Sequence, residues 1–285
     1  MGYIESAKSV LPAESAALEA AAESFLAAVV ANAAAIESGA QGGSGRHYLT
    51  FDGVPTVGGQ MLRHLNGPTP GIANQFSVWM NLKLDDFSIG SQYLFYLSEA
   101  SGSNNQISTQ ILSNGTEIRI GLRDSAGAET KRFNIPVSAL QEGVGFTIGI
   151  SFDGNASGDP MKVYLNGSDA DSVVVKAIDG TGTRGDTTVS MSIMGRTNGF
   201  GSANGAMQDF ALFSSVKTPQ EFAQLHAQVD DAEPMFGFDP KVYITPKDPN
   251  DMGKNYGSGP ASLNLMTDAS NVSEANRVQG LLVTP

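Results

Sequence analysis

Carboxylates and imidazoles are the side chains in this chain that can move protons, and their spacing decides what they can do. Glycoside hydrolysis needs two carboxyl groups at a set separation, one as acid and one as nucleophile or base. Glu99, Glu117, Glu129 and Glu142 each stand without another Asp or Glu within three residues. Nucleophilic catalysis needs a base held beside a hydroxyl or thiol. The three histidines are dispersed: His47 follows a glycine-rich run, His64 lies beside Arg63, and His226 falls near the end of the strand-rich region. No phosphate-cradling glycine loop, dinucleotide fingerprint or His-Glu-x-x-His pair occurs. With no cysteine, thiolate catalysis, sulfur-ligated zinc and disulfides are excluded. A catalyst is not expected.

The elements that must position any site are short strands. Phe76 to Leu84 places Phe76, Val78, Met80, Leu82 and Leu84 on one face and Trp79 on the other. Glu117 to Arg123 alternates in the same way through Ile118, Ile120 and Leu122. So do Phe146, Ile148, Ile150 and Phe152, and then Met161, Val163 and Leu165. Asn-Gly pairs at 66, 114, 166, 198 and 204, and Asp-Gly pairs at 52, 153 and 179, tolerate positive φ and close hairpins. Thr218-Pro219-Gln220-Glu221 is a capping box with proline at the first helical position. It predicts a helix to about Val229 that buries Phe222, Leu225 and Val229.

Composition agrees with an all-β protein. Charged residues make up 16% and glycine numbers 33, a profile rich in turns rather than helices. The formal net charge of −12 argues against nucleic acid as a partner, which calls for a basic stripe. No run of 18 apolar residues occurs, so no membrane insertion is expected. The apolar run from Phe25 to Ile36 follows Glu14, Glu19 and Glu23 instead of a basic segment, so it is not expected to act as an export signal. Without such a signal, the four Asn-x-Ser/Thr sequons read as turns.

Residues 1–38 form a separate unit in this reading. Alanine dominates and no glycine appears from Pro12 to Glu37, which predicts a helix. Leu11, Leu18 and Phe25 fall on one heptad position, and Ala22, Val29 and Ile36 on the other. A helix of this length cannot bury its own seam, so it needs a partner surface. Three partners stay open: its own sandwich or another protein, a self-associated parallel bundle with a trimer favoured, and, least, a membrane surface. Residues 39–45 are a Gly/Ser joint, 46–234 the sandwich, and 235–285 a C-terminal extension. Short strands are expected there over Val242 to Thr245 and Ala261 to Met266, and the apolar end from Leu281 is expected to dock.

The strand order resembles the concanavalin A-like lectin/glucanase sandwich, in particular laminin G-like and pentraxin-like domains. Tyr48-Leu-Thr-Phe-Asp52-Gly53 looks like the entry strand and Phe76 to Leu84 like the first long inner strand. Phe146 to Gly154 followed by Met161 to Gly167 is similar to the family's strand, loop and strand ending in Asn-Gly. Gly205 to Phe213 with the capped helix looks like its close. The resemblance covers residues 46–229, and the chain continues more than fifty residues past the usual end. It implies an antiparallel jelly-roll with an N-terminal helix and a C-terminal extension added. It also implies calcium as a cofactor to test, because relatives hold it with acidic and backbone oxygens. Asp52, Asp153 and Asp209 sit where the family places acidic residues, and Asp85, Asp86 and the loop from Asn198 to Asn204 add oxygens. The bland reading of these aspartates is turn and framework chemistry. The hydrolases of this family carry a Glu-x-Asp-x-Glu pattern, which is missing here.

Three function classes follow. The first is a non-catalytic virion structural protein in the style of bacteriophage decoration or fibre proteins, assembled in the host cytoplasm, with itself or other virion proteins as partners. The second is a lectin-like adhesin for a cell-surface glycan, for which Phe200 and Tyr256 in glycine-rich loops are the surface-contact candidates and Trp79 a weaker one. The third and least expected is a glycoside hydrolase.

Overall fold

The computed structural model describes residues 46–53, 60–67, 71–72, 74–99, 104, 106–111, 115–156, 160–180, 189–196, 201–231, 234–235, 237–247, 250–251, 253–259 and 277–283. The predicted N-terminal helix with Leu11, Leu18, Ala22, Phe25, Val29 and Ile36 lies outside the described residues. So do the joint at 39–45, Phe200 and the strand expected over 261–266.

Two antiparallel sheets form a sandwich, with strands numbered β1 to β15 in chain order. The first sheet runs β10 (Ser168–Asp169), β9 (Met161–Leu165), β8 (Gly145–Asp153), β3 (Gln75–Leu84), β13 (Asn204–Phe213), β1 (His47–Asp52) and β15 (Arg277–Gln279). An eighth strand, β14 (Val242–Ile244), also pairs with β13. The second sheet runs β11 (Val175–Asp179), β7 (Glu129–Pro136), β6 (Glu117–Arg123), β5 (Ile107–Ile111), β4 (Gln92–Glu99), β12 (Val189–Ile193) and β2 (Leu62–Gly67). One α-helix among the described residues, α1 (Pro219–Ala227), follows β13.

Alternation sets which residues meet between the sheets. Phe76, Val78, Met80, Leu82 and Leu84 of β3 are buried with Ile148 and Ile150 of β8 and Phe210 and Leu212 of β13. From the second sheet they meet Phe95, Leu97, Ile118, Ile120, Phe133 and Ile135. The Asn-Gly prediction holds at the β9–β10 hairpin, where Asn166 and Gly167 both have positive φ, 47° and 73°, as a type I′ turn demands.

A second core lies on the outer face of the eight-stranded sheet. Trp79 is buried there with Tyr164, Phe213, Phe222, Leu225 and Val229, and Val283 of the chain's end packs into the same cluster. Trp79, a weaker surface-contact candidate from the sequence, is thus not a surface residue; it sits beneath α1. Gly149 makes room for this, since a Cβ there would collide with the Phe222 ring. Phe222 in turn stacks on Tyr164 at 4.4 Å. The helix starts as predicted, with Thr218 accepting from the Glu221 N–H and Glu221 bonding back to Thr218 N–H. It ends at Ala227, two residues short of the expected Val229, which is buried all the same.

Residues after 234 carry a strand where one was expected over Val242 to Thr245, and in the described part they add strands to the first sheet. β14 pairs with β13 beyond the end of β1, and β15 adds to the free side of β1. Gln208, the extra residue of a bulge between Met207 and Asp209, fastens this region. Its amide donates to Gly280 O at 2.9 Å and accepts from Leu282 N–H at 3.2 Å.

Candidate functional site

The outer face of the seven-stranded sheet is built differently from its counterpart. Ile118, Ile120 and Leu122 point into the core, so Glu117, Arg119, Gly121 and Arg123 of β6 point away. Register carries this across the sheet. Tyr93 of β4 faces Gln110 of β5, Gln110 faces Arg119 of β6, and Arg119 faces Asn134 of β7. The next row reads Tyr96, Ser108, Gly121 and Arg132 across the same strands. Small side chains at Ser108 and Gly121 keep the floor of this second row low.

Polar atoms in the first row outnumber their partners. Arg119 Nε and Asn134 Oδ1 are shielded by neighbouring atoms and have no hydrogen-bond partner among the described residues. They stand on directly paired residues, one a donor and the other an acceptor. In the second row, by contrast, Arg132 is taken up by Glu129, donating from Nε at 2.9 Å and from Nη2 to the other oxygen. The hydrogen bonds of Glu129 hold the Arg132 guanidinium above its ordinary pKa.

Aromatic rings border the rows. Tyr93 and Tyr96 meet edge to face with centroids 5.8 Å apart. The Arg196 guanidinium lies 5.7 Å from the first ring and 5.2 Å from the second. What brings Arg196 back over the sheet is a reversal after β12. Met194 adopts a left-handed φ of 60°, uncommon for a side-chain-bearing residue. Ser192 Oγ donates to Gly195 O at 2.7 Å to hold the turn. Gly201, at φ 65°, presses close to Tyr93 on its other flank, where a Cβ would come within 2.8 Å of the ring.

The aspartates singled out from sequence are not brought together. Asp52 sits beside Asn204 at one end of the first sheet, and Asp153 faces Gln75 at the other. The length of β3 between these ends is roughly 30 Å. Asp209 is fully buried on the outer face of that sheet, bonded to Arg46 and to the Tyr243 hydroxyl. Asp153 accepts from Gln75 Nε2 at 2.8 Å and from Asn155 N–H at 3.1 Å, closing its turn. Asp86 accepts from both N–H and Oγ of Ser88, which holds its pKa below the ordinary value. Asp85 pairs with Lys83. Among the described residues no group of three or more acidic or histidine side chains could hold a metal ion.

The glutamates serve the scaffold as well: Glu142 accepts from Phe87 N–H at 2.8 Å. His226 Nδ1 meets Thr147 Oγ1 at 3.1 Å under α1, and His47 Nδ1 meets Arg277 at 3.0 Å. Tyr256 borders a cavity of about 530 Å³ with Phe238, Pro240, Tyr243, Lys247 and Ser258. Lys254 and Lys247 stand over its ring at 5.4 and 5.8 Å. The other polar groups around this cavity hold one another, with Lys241 between Ser258 and Asp239. Sequence reasoning passed over Tyr93, Tyr96, Gln110, Arg119, Asn134 and Arg196. The available signal was the polar half of each alternation.

No family model and no curated protein sequence matches the chain. Among solved structures, the CBM40 of a Ruminococcus gnavus IT-sialidase, bound to α2,3-sialyllactose, aligns at 14% identity and TM-score 0.40, covering 60% of this chain and 94% of that one. Domains LG4-5 of the mouse laminin α1 chain align at 11% identity and TM-score 0.41, covering 61% and 44%. The native heptameric SAP-like pentraxin of Limulus polyphemus aligns over 84% of this chain and 96% of its own at TM-score 0.51. That share exceeds residues 46–229, so the match takes in part of the chain after α1. At 14% identity the likeness is one of fold: the chain is similar to a pentraxin in having two antiparallel sheets packed as a lectin-type sandwich.

Proposed function

We propose that the chain is a non-catalytic, lectin-like module that binds a saccharide on the outer face of its seven-stranded sheet. A fold of this kind hosts many activities, so the reading rests on the site. The observation that carries it is the row Tyr93, Gln110, Arg119 and Asn134, bordered by Tyr96 and Arg196. A saccharide hydroxyl both accepts and donates, and the partly exposed side chains of Arg119 and Asn134 set a guanidinium beside an amide on directly paired residues. The partly exposed Tyr93 ring supplies apolar surface with a polar tip, suited to a ligand that is part wet and part apolar, and the buried Tyr96 backs it. Glu129 is held by Arg132 and Glu142 by Phe87 N–H, which favours binding over acid–base chemistry.

This reverses the order expected from the sequence. A structural role in a virus particle becomes the second reading, because no feature of the described residues speaks for it as the polar row speaks for a saccharide. Comparing the solution mass of the full chain with one lacking residues 1–38 tests it, and a full-length monomer at micromolar concentration ends self-assembly.

A glycan array probed with the full chain tests the first reading, alongside the variants Tyr93→Ala and Asn134→Ala. We expect saccharide binding that persists in a calcium chelator and weakens about tenfold or more in either variant. Absence of saccharide binding, or binding that both substitutions leave unchanged, rejects it.

A further inference from the structure

The chain carries 29 acidic residues against 17 basic ones, yet this face gathers positive charge. Five of the eight arginines in the sequence, Arg63, Arg119, Arg123, Arg132 and Arg196, belong to the second sheet or the turn that follows β12. Most have a structural assignment. Arg132 is held by Glu129, Arg123 donates to Gly127 O at 2.9 Å, and Arg196 lies over the two tyrosines. Arg119 is the exception. It occupies the middle of β6, half-buried, and no carboxylate pairs with it among the described residues. Glu117, two residues earlier on the same face, makes no ion pair with it; Glu129 is spent on Arg132, and Asp124 accepts from Ala126 and Ala128 N–H in its hairpin.

A guanidinium cannot shed its proton at any ordinary pH, so a half-buried one without a counter-charge is a place where an anion can bind. Its planar fork matches the two oxygens of a carboxylate, and it also binds the oxygens of a sulfate ester. Gln110 and Asn134 flank it on the neighbouring strands with amide donors and acceptors for the groups around that anion.

We infer that the saccharide bound on this face is acidic and that Arg119 holds its anionic group, a carboxylate or a sulfate ester. The inference rests on the lectin-like reading above. Its test is the same full-length chain on an array of neutral, uronic or sialic acid-bearing, and sulfated saccharides, with Arg119→Gln, Arg119→Lys and Tyr93→Ala alongside. We expect the hits to be acidic. Arg119→Gln should weaken them at least about tenfold, while neutral saccharides show no comparable signal. Carboxylated hits that Arg119→Lys fails to rescue identify a carboxylate in the fork; sulfated hits that it rescues identify a sulfate ester. Neutral hits that are lost in Tyr93→Ala but retained in Arg119→Gln keep the lectin-like reading and overturn the acidic ligand. Acidic hits indifferent to Arg119→Gln overturn the role of Arg119. Absence of all hits overturns both.

Discussion

Arg46 and Asp209 form an ion pair across 163 residues of sequence, with side-chain exposures of 3% and 0%. Asp209 lies on β13 and Arg46 immediately precedes β1, while Tyr243 of β14 donates its hydroxyl to the other carboxylate oxygen at 2.9 Å. Three strands of the first sheet therefore share one buried charge cluster. Burial alone would pull the Arg46 pKa down, but Asp209 and Tyr243 outweigh it and hold it above the ordinary value. Burial, reinforced by the Asp209 charge, drives the Tyr243 phenol well above its own.

Removing one charge of this cluster strands the other. Arg46→Met is expected to cost about 3–5 kcal/mol, because Asp209 stays in place without its counter-charge. The double variant Arg46→Met/Asp209→Leu should recover much of that loss, and Tyr243→Phe should cost about 1–3 kcal/mol. Urea denaturation of the three variants gives the comparison. A double variant no more stable than Arg46→Met contradicts this account.

Gly149 controls how α1 sits on the sheet. It pairs with Trp79 on one side and Tyr164 on the other, and the Phe222 ring fills the space its missing side chain leaves. Gly149→Ala should therefore lift α1 and cost about 1–3 kcal/mol. The chain has one tryptophan, buried beneath that helix, so its emission reports the change. We expect a red shift in Gly149→Ala under native conditions; unchanged emission and stability count against it.

Much of the sandwich was legible because one face of β3, β6 and β8 is apolar throughout. The series from Phe76 to Leu84 names the core with no other input, and Thr218 to Glu221 announces the helix. The outer faces were not legible. Trp79 and Tyr164 lie opposite the apolar series of their strands, and nothing in either strand names α1 and the chain's end as what covers them. The candidate site failed for another reason. Its row exists only through the register of four strands, and a single strand carries no record of its neighbours' register. In β4 the alternation is further broken by a bulge between Tyr93 and Phe95, which sets Tyr93 and Tyr96 on one face three residues apart. Asp52, Asp153 and Asp209 had the opposite fate. Their residue type suited a cation, but the register spreads them along the sheet.

The capping box offers a test with little confounding. Thr218→Ala removes the acceptor for Glu221 N–H and leaves the Glu221 carboxylate with fewer donors. The expected loss is about 1 kcal/mol. A midpoint shift near zero in denaturation would mean that packing of Phe222 and Leu225 alone fixes the helix start.

His226 should make stability depend on pH. Burial lowers its pKa below the ordinary 6.5 in the folded protein. Between that lowered value and 6.5 the unfolded chain binds more protons than the folded one, so stability rises with pH across the window. The contribution is complete above 6.5 and declines as pH falls through the window, by at most about 1.4 kcal/mol per pH unit. His226→Gln removes the titrating group while keeping a polar side chain near Thr147. Stabilities of both proteins followed from about pH 8 to pH 5 should diverge below 6.5, with the wild type losing more. Burial of the imidazole against Thr147 and the Asn166–Gly167 hairpin is the cause in this account, so parallel curves would show that His226 keeps its solvent protonation when folded.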